Sequence, residues 1–275
     1  MHLLPSVHPR DLPSETVALR ERFLLPDLFA VEHLKLAYWE VDRTVVGAAV
    51  PGLASIELVA PDLLGAGDFC ARREIGIINL GGPGRIEVDD RTHAMAPRDG
   101  LYVGRGTKRV VFHSDTPASP ARYYLLSYPA HAAHPGRHVA HATVAAVQLG
   151  APETCNRRTL YKYFAPGLVD TCQLTMGLTM LAPGSVWNTM PPHTHLRRSE
   201  VYCYCDLPST DAVFHFMGEP ASTRHLVMRN LEVVLSPSWS IHAGAGTTNY
   251  AFVWGMGGEN QDFADMTPAP IATLY

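Results

Sequence analysis

Short apolar runs separated by turns rich in Gly, Pro and Asp follow one another along most of the chain. Runs of about four to eight residues that contain β-branched and aromatic side chains are typical of short strands. The pattern therefore predicts an all-β protein, and the predicted strands lie in HLKLAYWEVD, RTVVGAAV, ASIELVA, EIGIINLG, GRIEVDD, DGLYVGRG, KRVVFHS, ARYYLLSY, TCQLTMGLTML, GSVWNTM, EVYCYCD, AVFHFMG, RHLVMRN, LEVVLSP and NYAFVWGM.

Helical signals are confined to the start of the chain. Ser14 precedes the segment ETVALRERF and is expected to cap a helix there, with Glu15 favourable in the first turn. A second short helix is expected over part of FLLPDLFAVE, where Pro26 limits its length. Both helices would be peripheral to the predicted sheets.

The two halves of the chain repeat a similar order of strands and turns. RDGLYVGRGTKRVVFH in the first half and NLEVVLSPSWSIHAG in the second both predict turn, strand, turn, strand. ARYYLLSYPA and NYAFVWGMGG form a second matching pair, and a Pro-, Ala- and His-rich interval at about residues 128–144 is predicted to be a linker. These features predict two tandem β-barrels, residues 1–145 and 146–275, with a few short peripheral helices.

Composition excludes several classes of protein. The net charge of −4 over 275 residues offers no basic surface for nucleic acid or an anionic membrane. The N-terminal segment MHLLPSVHPRDLPSET has prolines and charges where a signal peptide needs an apolar core, and no apolar run is long enough to cross a bilayer. The five cysteines are dispersed and odd in number, which argues against a disulfide framework and favours a cytoplasmic location.

A cluster of potential metal ligands lies in the second half. The segment PPHTHLRRSE holds His193, His195 and Glu200, and His242 follows in PSWSIH. Residues i and i+2 of a strand point to the same face, so both imidazoles of HTH can bind one ion. Glu200 lies five residues after His195, and this odd spacing would place its carboxylate on the opposite face of a continuous strand. We therefore expect LRRS to bend the chain, so that Glu200 begins a new strand that faces the same cavity.

Three imidazoles and one carboxylate suit Zn, Fe, Mn or Ni and leave room for water or substrate, so the donor set predicts a catalytic metal site. An H-x-H pair alone is often accidental on an exposed loop, and it is Glu200 and His242 that favour the metal. His93 and His113 are isolated, so the first barrel is expected to be structural and free of metal. Solvated positions are expected for His2, His8, His131, His134, His138 and His141.

These residues resemble the two sequence motifs of the cupin superfamily. HTHLRRSE matches H-x-H-x3–4-E, and PSWSIH keeps the proline-to-histidine spacing of P-x-G-x-x-H. Trp239 stands where the second motif has glycine, and Leu207 where the first motif ends in glycine. The resemblance to cupins therefore depends on the four ligands rather than on the turn residues.

A closer resemblance, to the 5-keto-4-deoxyuronate isomerase family, covers nearly the whole chain. It is carried by RREIGIINLGGPG, RDGLYVGRGTK, NRRTLYKYF, LAPGSVWNTMPPHTHLRRSEVY, VFHFMGEP, TRHLVMRN and SPSWSIHAGAGTTNYAFVWGMGGENQ. The resemblance implies a bicupin, usually hexameric, with one Zn²⁺ per chain held by His193, His195, Glu200 and His242. Such an enzyme converts 5-dehydro-4-deoxy-D-glucuronate to 3-deoxy-D-glycero-2,5-hexodiulosonate in pectin breakdown.

A uronate substrate needs a cation that can bind its carboxylate. The basic candidates in the family-like segments are Arg158, Lys162, Arg198 and Arg224. Alternation along strands places Thr189 on the face of His193 and Tyr202 on the face of Glu200, and Thr179 is expected beside them. Packing in the barrel core is the alternative role for the uncharged candidates.

Moving a carbonyl between neighbouring carbons through an enediolate also needs a base whose pKa is tuned toward neutrality. Glu200 is a poor choice because the metal engages its charge. Glu219 in MGEP and His225 in TRH are candidates, and a hydroxide on the metal is a third option. The sequence leaves the base open.

Two other functions fit the same ligands. An Fe(II)-type cupin oxygenase could use them, and a pirin-like bicupin could bind a metal without turnover. The long family-like segments in both halves favour the isomerase, because a generic cupin would share only the ligand motif.

Overall fold

The computed structural model of the chain describes residues 1–65, 67–259 and 265–275. Within these ranges the protein is mostly β-sheet, with one α-helix, Thr16–Phe23, and short 3-10 turns at Pro9–Asp11, Val41–Arg43, Asp62–Leu64, Phe69–Ala71, His141–Thr143, Pro152–Thr154 and Ile271–Thr273. None of the helices in the described part is long and apolar enough to cross a membrane.

The strands are numbered in chain order. The first twelve are β1 (His2–Leu4), β2 (Leu24–Leu25), β3 (His33–Trp39), β4 (Thr44–Val50), β5 (Ile56–Glu57), β6 (Arg73–Asn79), β7 (Gly84–Val88), β8 (Arg91–Met95), β9 (Gly100–Val103), β10 (Val110–Ser114), β11 (Tyr123–Pro129) and β12 (Arg137–Val139). The second twelve are β13 (Ala146–Leu149), β14 (Arg158–Phe164), β15 (Thr175–Leu181), β16 (Trp187–Asn188), β17 (His193–Thr194), β18 (Arg198–Cys205), β19 (Val213–Glu219), β20 (Ser222–Met228), β21 (Val233–Ser236), β22 (Ala243–Gly246), β23 (Ala251–Gly258) and β24 (Thr267–Pro268).

The chain divides into two compact units. The first comprises Met1–Leu4, Asp27–Val144 and Tyr163–Thr175, and the second comprises Pro5–Pro26, Ala145–Lys162 and Met176–Tyr275. The main division after Val144 lies beside the limit predicted at residue 145. Pro5–Pro26, in the first half of the chain, belongs to the second unit, and Tyr163–Thr175, in the second half, belongs to the first. The local sequence pattern does not encode this exchange.

The first unit contains a seven-stranded sheet, β1-β3-β4-β11-β6-β9-β12, and a four-stranded sheet, β5-β10-β7-β8. Alternate residues of β6 point to one side, where Ile75 and Ile77 pack with Leu101, Phe112 and Leu125 in a buried apolar core. Burial of these side chains provides the main force that holds the unit together.

The second unit repeats this arrangement with a seven-stranded sheet, β13-β14-β15-β23-β18-β21-β2, and a four-stranded sheet, β16-β22-β19-β20; a two-stranded pair, β17-β24, is added. Leu226, Met228, Val234 and Phe252 belong to its core. The strand orders correspond position by position, so that β6 matches β18, β9 matches β21 and β11 matches β23. Of these, β9 and β21 lie in one predicted repeat pair, and β11 and β23 lie in the other.

Three local predictions were wrong. The α-helix begins at Thr16 with Glu15 as its N-cap, and neither Ser14 nor any other side chain caps it. The second predicted helix does not form, because Leu24 and Leu25 instead pair with β21. The predicted linker at 128–144 contains β12, which pairs with β9, so hydrogen bonding across the sheet overrides the Pro- and Ala-rich composition.

A buried carboxylate organises the exchanged segment in the first unit. Glu74 is fully buried on β6. Its Oε1 accepts hydrogen bonds from the backbone N–H groups of Gln173 and Leu174 at 2.7 and 2.9 Å. Its Oε2 accepts from the N–H of Cys172 and from the hydroxyl of Tyr102, both at 2.7 Å. Glu74 therefore fastens residues 172–174 to the sheet.

We predict that Glu74→Gln destabilises the protein by about 3 kcal/mol, because an amide has one acceptor oxygen and leaves buried donors without partners. Urea unfolding followed by tryptophan fluorescence measures the change. The control is Glu57→Gln, since the Glu57 side chain is 54% exposed and its contact with Arg109 is a 3.6 Å surface ion pair. Equal midpoints for the two variants would contradict the assigned role of Glu74.

Candidate metal centre

The chain bends sharply between the second histidine and the glutamate of the ligand motif. Strand β17 ends at Thr194, residues 196–197 form a turn, and β18 starts at Arg198. The backbone N–H of Arg198 donates to the carbonyl of His195 at 3.2 Å, and Nδ1 of His195 donates back to the carbonyl of Arg198 at 2.9 Å. The predicted bend is confirmed, although the new strand starts two residues before Glu200.

This bend brings the motif residues together. Nε2 of His195 lies 3.1 Å from Oε2 of Glu200. His242, which lies between β21 and β22, places its Nε2 2.8 Å from the same oxygen and 3.1 Å from Nε2 of His193. One ligand atom from each of the four residues lies within 4.8 Å of the others. Side chains from separated parts of the chain thus converge on one point.

The donor atoms fit a divalent metal. Because Nδ1 of His195 donates to a backbone carbonyl, its Nε2 presents a lone pair toward the cluster. The Nε2 atoms of His193 and His242 face each other, and a cation bound by both would interact with the lone pair of each. His195, Glu200 and His242 are almost fully buried, so the cluster lies away from bulk water. The four residues could therefore hold a metal, and their types do not select among Zn, Mn, Fe and Ni.

The electrostatics keep His193 and Glu200 in the forms that bind metals. Burial, helped by His242, lowers the pKa of His193 to about 3, so its imidazole is neutral at pH 7. Burial opposes ionisation of Glu200, but the neighbouring His242 and His195 side chains outweigh it and hold the pKa of Glu200 well below its usual range. A neutral imidazole and an ionised carboxylate are the ligand forms that a metal requires.

A cavity of about 350 Å³ opens beside His193 and Glu200. Of the residues expected to contact substrate, the structure brings Arg158, Thr179, Thr189, Arg198 and Tyr202 to its wall. The rest of the wall is largely apolar and is formed by Leu149, Leu160, Met190, Pro191, Phe252, Trp254, Met256 and Met266. This combination of a few polar groups and many apolar ones is usual for a small-molecule site.

Thr189 and Tyr202 contact each other in this wall, with their hydroxyl oxygens 3.1 Å apart. Strand parity predicted that both side chains would face the ligands. Tyr202 lines the cavity with Glu200 because both residues lie on the continuous strand β18. Thr189 reaches the wall differently, since β16 ends at Asn188 and Thr189 has a left-handed backbone with φ of 51°. Burial raises the pKa of Tyr202 well above its ordinary value, which keeps the phenol protonated.

The two arginines of the cavity wall differ in burial and in their hydrogen-bond and ion-pair partners. Arg198 is buried, and its Nη2 forms a 2.8 Å ion pair with Oδ1 of Asp265. Arg158 is half-buried, and its Nη1 donates to the carbonyl of Asn156 at 2.9 Å. Asp265 was not predicted, because no local signal connects it with a residue so distant in sequence. Arg158 is therefore the cavity cation that no described carboxylate neutralises at ion-pair distance.

The structure does not bring Lys162, Arg224, Glu219 or His225 to the cavity wall. Arg224 donates from Nη1 to the carbonyl of Thr223 at 2.9 Å, while Glu219 and His225 are exposed on β19 and β20. Among the described residues of the wall, the only carboxylate and imidazole are those of Glu200 and His193. The two candidate bases thus lie apart from the ligand cluster.

Two further histidines are partly or fully buried outside the ligand cluster. His215 is fully buried, its Nδ1 lies 2.8 Å from the hydroxyl oxygen of Tyr204, and it does not line the cavity. Burial, with the nearby His242, lowers the pKa of His215 to about 3, so it remains neutral. His141, expected to be solvated, is half-buried and its Nδ1 lies 2.6 Å from the hydroxyl of Tyr163.

Comparison with known proteins places the chain in a family. Residues 27–269 match the KduI/IolB family. The chain is 48% identical, over the full length of both proteins, to a 4-deoxy-L-threo-5-hexosulose-uronate ketol-isomerase from Lachnoclostridium phytofermentans. It is 49% identical to a protein of the same name from Burkholderia cenocepacia, over 94% of each chain.

The chain belongs to the KduI/IolB family. Solved structures agree with this at the level of fold. An IolB-like protein from Salmonella typhimurium aligns with a TM-score of 0.71 at 14% identity, covering 90% of this chain and 96% of the other. The oxalate decarboxylase of Lactobacillus farciminis aligns with a TM-score of 0.61 at 9% identity, covering 86% of each chain. The fold of this KduI/IolB member is therefore cupin-like.

Proposed function

We propose that the protein is a metal-dependent ketol-isomerase that converts 5-dehydro-4-deoxy-D-glucuronate to 3-deoxy-D-glycero-2,5-hexodiulosonate in uronate and pectin catabolism. The observation that carries the proposal is the convergence of His193, His195, Glu200 and His242 beside a cavity of about 350 Å³. Full-length identity of 48% to a ketol-isomerase supports the choice of reaction.

The proposed chemistry needs a positive centre, because removing a proton next to a carbonyl leaves an enediolate. A divalent metal, of which Zn²⁺ is the proposed one, would polarise the carbonyl and stabilise the developing negative charge without redox chemistry. His193, His195, Glu200 and His242 would hold one such ion per chain. Three neutral imidazoles and one carboxylate leave the centre with a net positive charge.

Tyr202 and Thr189 are proposed to orient the sugar. The Tyr202 phenol is protonated, so it can donate a hydrogen bond to a substrate oxygen. The Thr189 hydroxyl contacts that of Tyr202, and it can accept a second hydrogen bond from the substrate or donate one to it. The apolar side chains of Phe252 and Trp254 also line the cavity and would limit the access of water to the reacting carbons. Glu219 and His225 take no part in the proposed reaction.

Arg158 is proposed to bind the substrate carboxylate. Arg158 lines the cavity, and burial lowers its pKa without removing its charge at neutral pH. A planar guanidinium matches a carboxylate with two parallel hydrogen bonds. Arg198, held by Asp265, would instead fix the position of the turn that carries His195.

Other features of the proposal concern architecture and location. We infer that each pair of sheets forms a cupin-type barrel, giving a bicupin. Its proposed domains are the predicted ranges 1–145 and 146–275, except that Pro5–Pro26 and Tyr163–Thr175 each belong to the other unit. Five free cysteines support a cytoplasmic location. A homo-oligomer, hexameric by the family resemblance, remains a prediction.

The activity is tested by assaying the purified protein with 5-keto-4-deoxyuronate, with and without chelator. We expect anaerobic turnover that chelator abolishes and added Zn²⁺ restores, because the reaction consumes no oxygen. His242→Ala should lower kcat/KM by at least about a hundredfold, which is about 2.7 kcal/mol of transition-state stabilisation.

His225→Ala is the matched control, since His225 is an exposed histidine of the same unit. It should retain the activity and the metal content of the unmodified protein. Oxygen-dependent turnover would point instead to a cupin oxygenase, and metal binding without turnover to a pirin-like protein.

Carboxylate recognition is tested separately with Arg158→Gln. Loss of a charge-assisted contact worth about 1.5–3 kcal/mol should raise KM roughly tenfold to a hundredfold, with a smaller effect on kcat. Steady-state kinetics of Arg157→Gln provide the control, because Arg157 is the exposed neighbour and does not line the cavity. Similar KM values for both variants would contradict the assignment.

A further inference from the structure

A cavity in the first unit is lined by cationic side chains. It has a volume of about 210 Å³, and its wall contains Arg43, Arg72, Arg73 and Tyr38 among apolar residues. None of the described residues in this wall is acidic. The volume is small beside the ~300–1,000 Å³ of typical ligand pockets and suits a compact group.

Arg73 forms the buried part of this arginine cavity, with 7% of its surface exposed. Its Nε donates to Oγ of Ser127 at 3.1 Å, and its Nη2 donates to the carbonyls of Ser127 and Arg43 at 2.8 and 2.6 Å. All three acceptors are neutral. Nη1 has no hydrogen-bond partner among the described residues, so its N–H groups remain available to a ligand.

The charge of Arg73 is poorly compensated. Burial lowers its pKa to about 10; Tyr38, Cys70 and Tyr128 favour the charged form and Arg43 opposes it. None of these neighbours is a carboxylate. A buried cation without a counter-charge is destabilising, and a bound anion would relieve that cost.

Arg43 and Arg72 line the same cavity. Both are exposed, and neither guanidinium forms a hydrogen bond or ion pair with the part of the chain that the structure describes. Three guanidinium groups around one small volume repel one another. Each can instead donate parallel hydrogen bonds to an oxyanion, which is the geometry that arginine provides for phosphate and carboxylate groups.

The position of the arginine cavity in the fold adds a second, independent argument. Arg73 is the first residue of β6, and Arg198 is the first residue of β18, the matching strand of the second unit. Arg198 lines the cavity beside the metal ligands. The same strand end thus borders a cavity in both units, with cationic groups in place of metal ligands in the first.

We propose that the arginine cavity of the first unit is a binding site for a small oxyanion, a phosphate or the carboxylate of a sugar acid, held by Arg43, Arg72 and Arg73. This site is separate from the metal centre and does not depend on the proposed isomerase activity. It gives the unit without a metal-ligand motif a ligand-binding role.

Isothermal titration calorimetry of the full-length holoprotein tests the proposal, with inorganic phosphate in one arm and D-galacturonate in the other. We expect saturable binding of one ion per chain in at least one arm, and the responding arm identifies the oxyanion. Arg43→Gln combined with Arg72→Gln should raise Kd at least about tenfold, because two charge-assisted contacts are lost. Both positions are exposed, so the fold should be retained.

Two controls locate the site. Arg137→Gln removes an exposed arginine of the same unit outside the cavity, and His242→Ala disrupts the metal-ligand group; both should leave Kd within about twofold. Absence of saturable binding up to about 10 mM, a Kd unchanged by the double substitution, or binding lost only in His242→Ala would each overturn the proposal. A change in sedimentation mass of the double variant would also overturn it, by assigning the arginines to a contact between subunits.

Discussion

The pair of hydrogen bonds between His195 and Arg198 is the constraint on which the metal centre depends. One bond closes the turn at residues 196–197, and the other fixes the imidazole so that Nε2 faces Glu200. Without this bend the odd spacing from His195 to Glu200 would place the two ligands on opposite faces of a strand. The ion pair of Arg198 with Asp265 secures the same turn from the other side. Backbone geometry, rather than ligand chemistry alone, therefore assembles the cluster.

Much of this centre was predictable because its determinants are local. The H-x-H pair, the odd step and the requirement for a bend can all be derived from strand parity, and the strands themselves follow from the alternation of apolar and polar residues. Tyr202 faces the cavity for the same reason. Thr189 reaches it through a left-handed residue that parity does not describe.

Features that depend on tertiary contacts were not predictable. The ion pair between Arg198 and Asp265 joins residues far apart in sequence, and the assignment of Pro5–Pro26 to the second unit depends on pairing of Leu24 and Leu25 with β21. That pairing also explains why FLLPDLFAVE does not form a helix. Glu219 and His225 lie in the family-like segments, but they occupy exposed positions of the β19–β20 hairpin and do not line the cavity.

The two units share one strand order yet carry different chemistry at matching positions. In the second unit, His193, His195, Glu200 and His242 converge near the start of β18; in the first, arginines gather near the start of β6. A common scaffold thus presents a cation-binding group in one unit and cationic side chains in the other.

The central claim is that these three histidines and one glutamate hold a catalytic metal. Anomalous diffraction from crystals of the holoprotein, collected on both sides of the Zn, Ni, Fe and Mn absorption edges, tests it most directly. The account predicts one metal peak per chain, bonded to His193, His195, Glu200 and His242 at about 2.0–2.2 Å. A holoprotein with full activity and no anomalous peak among these residues would contradict it.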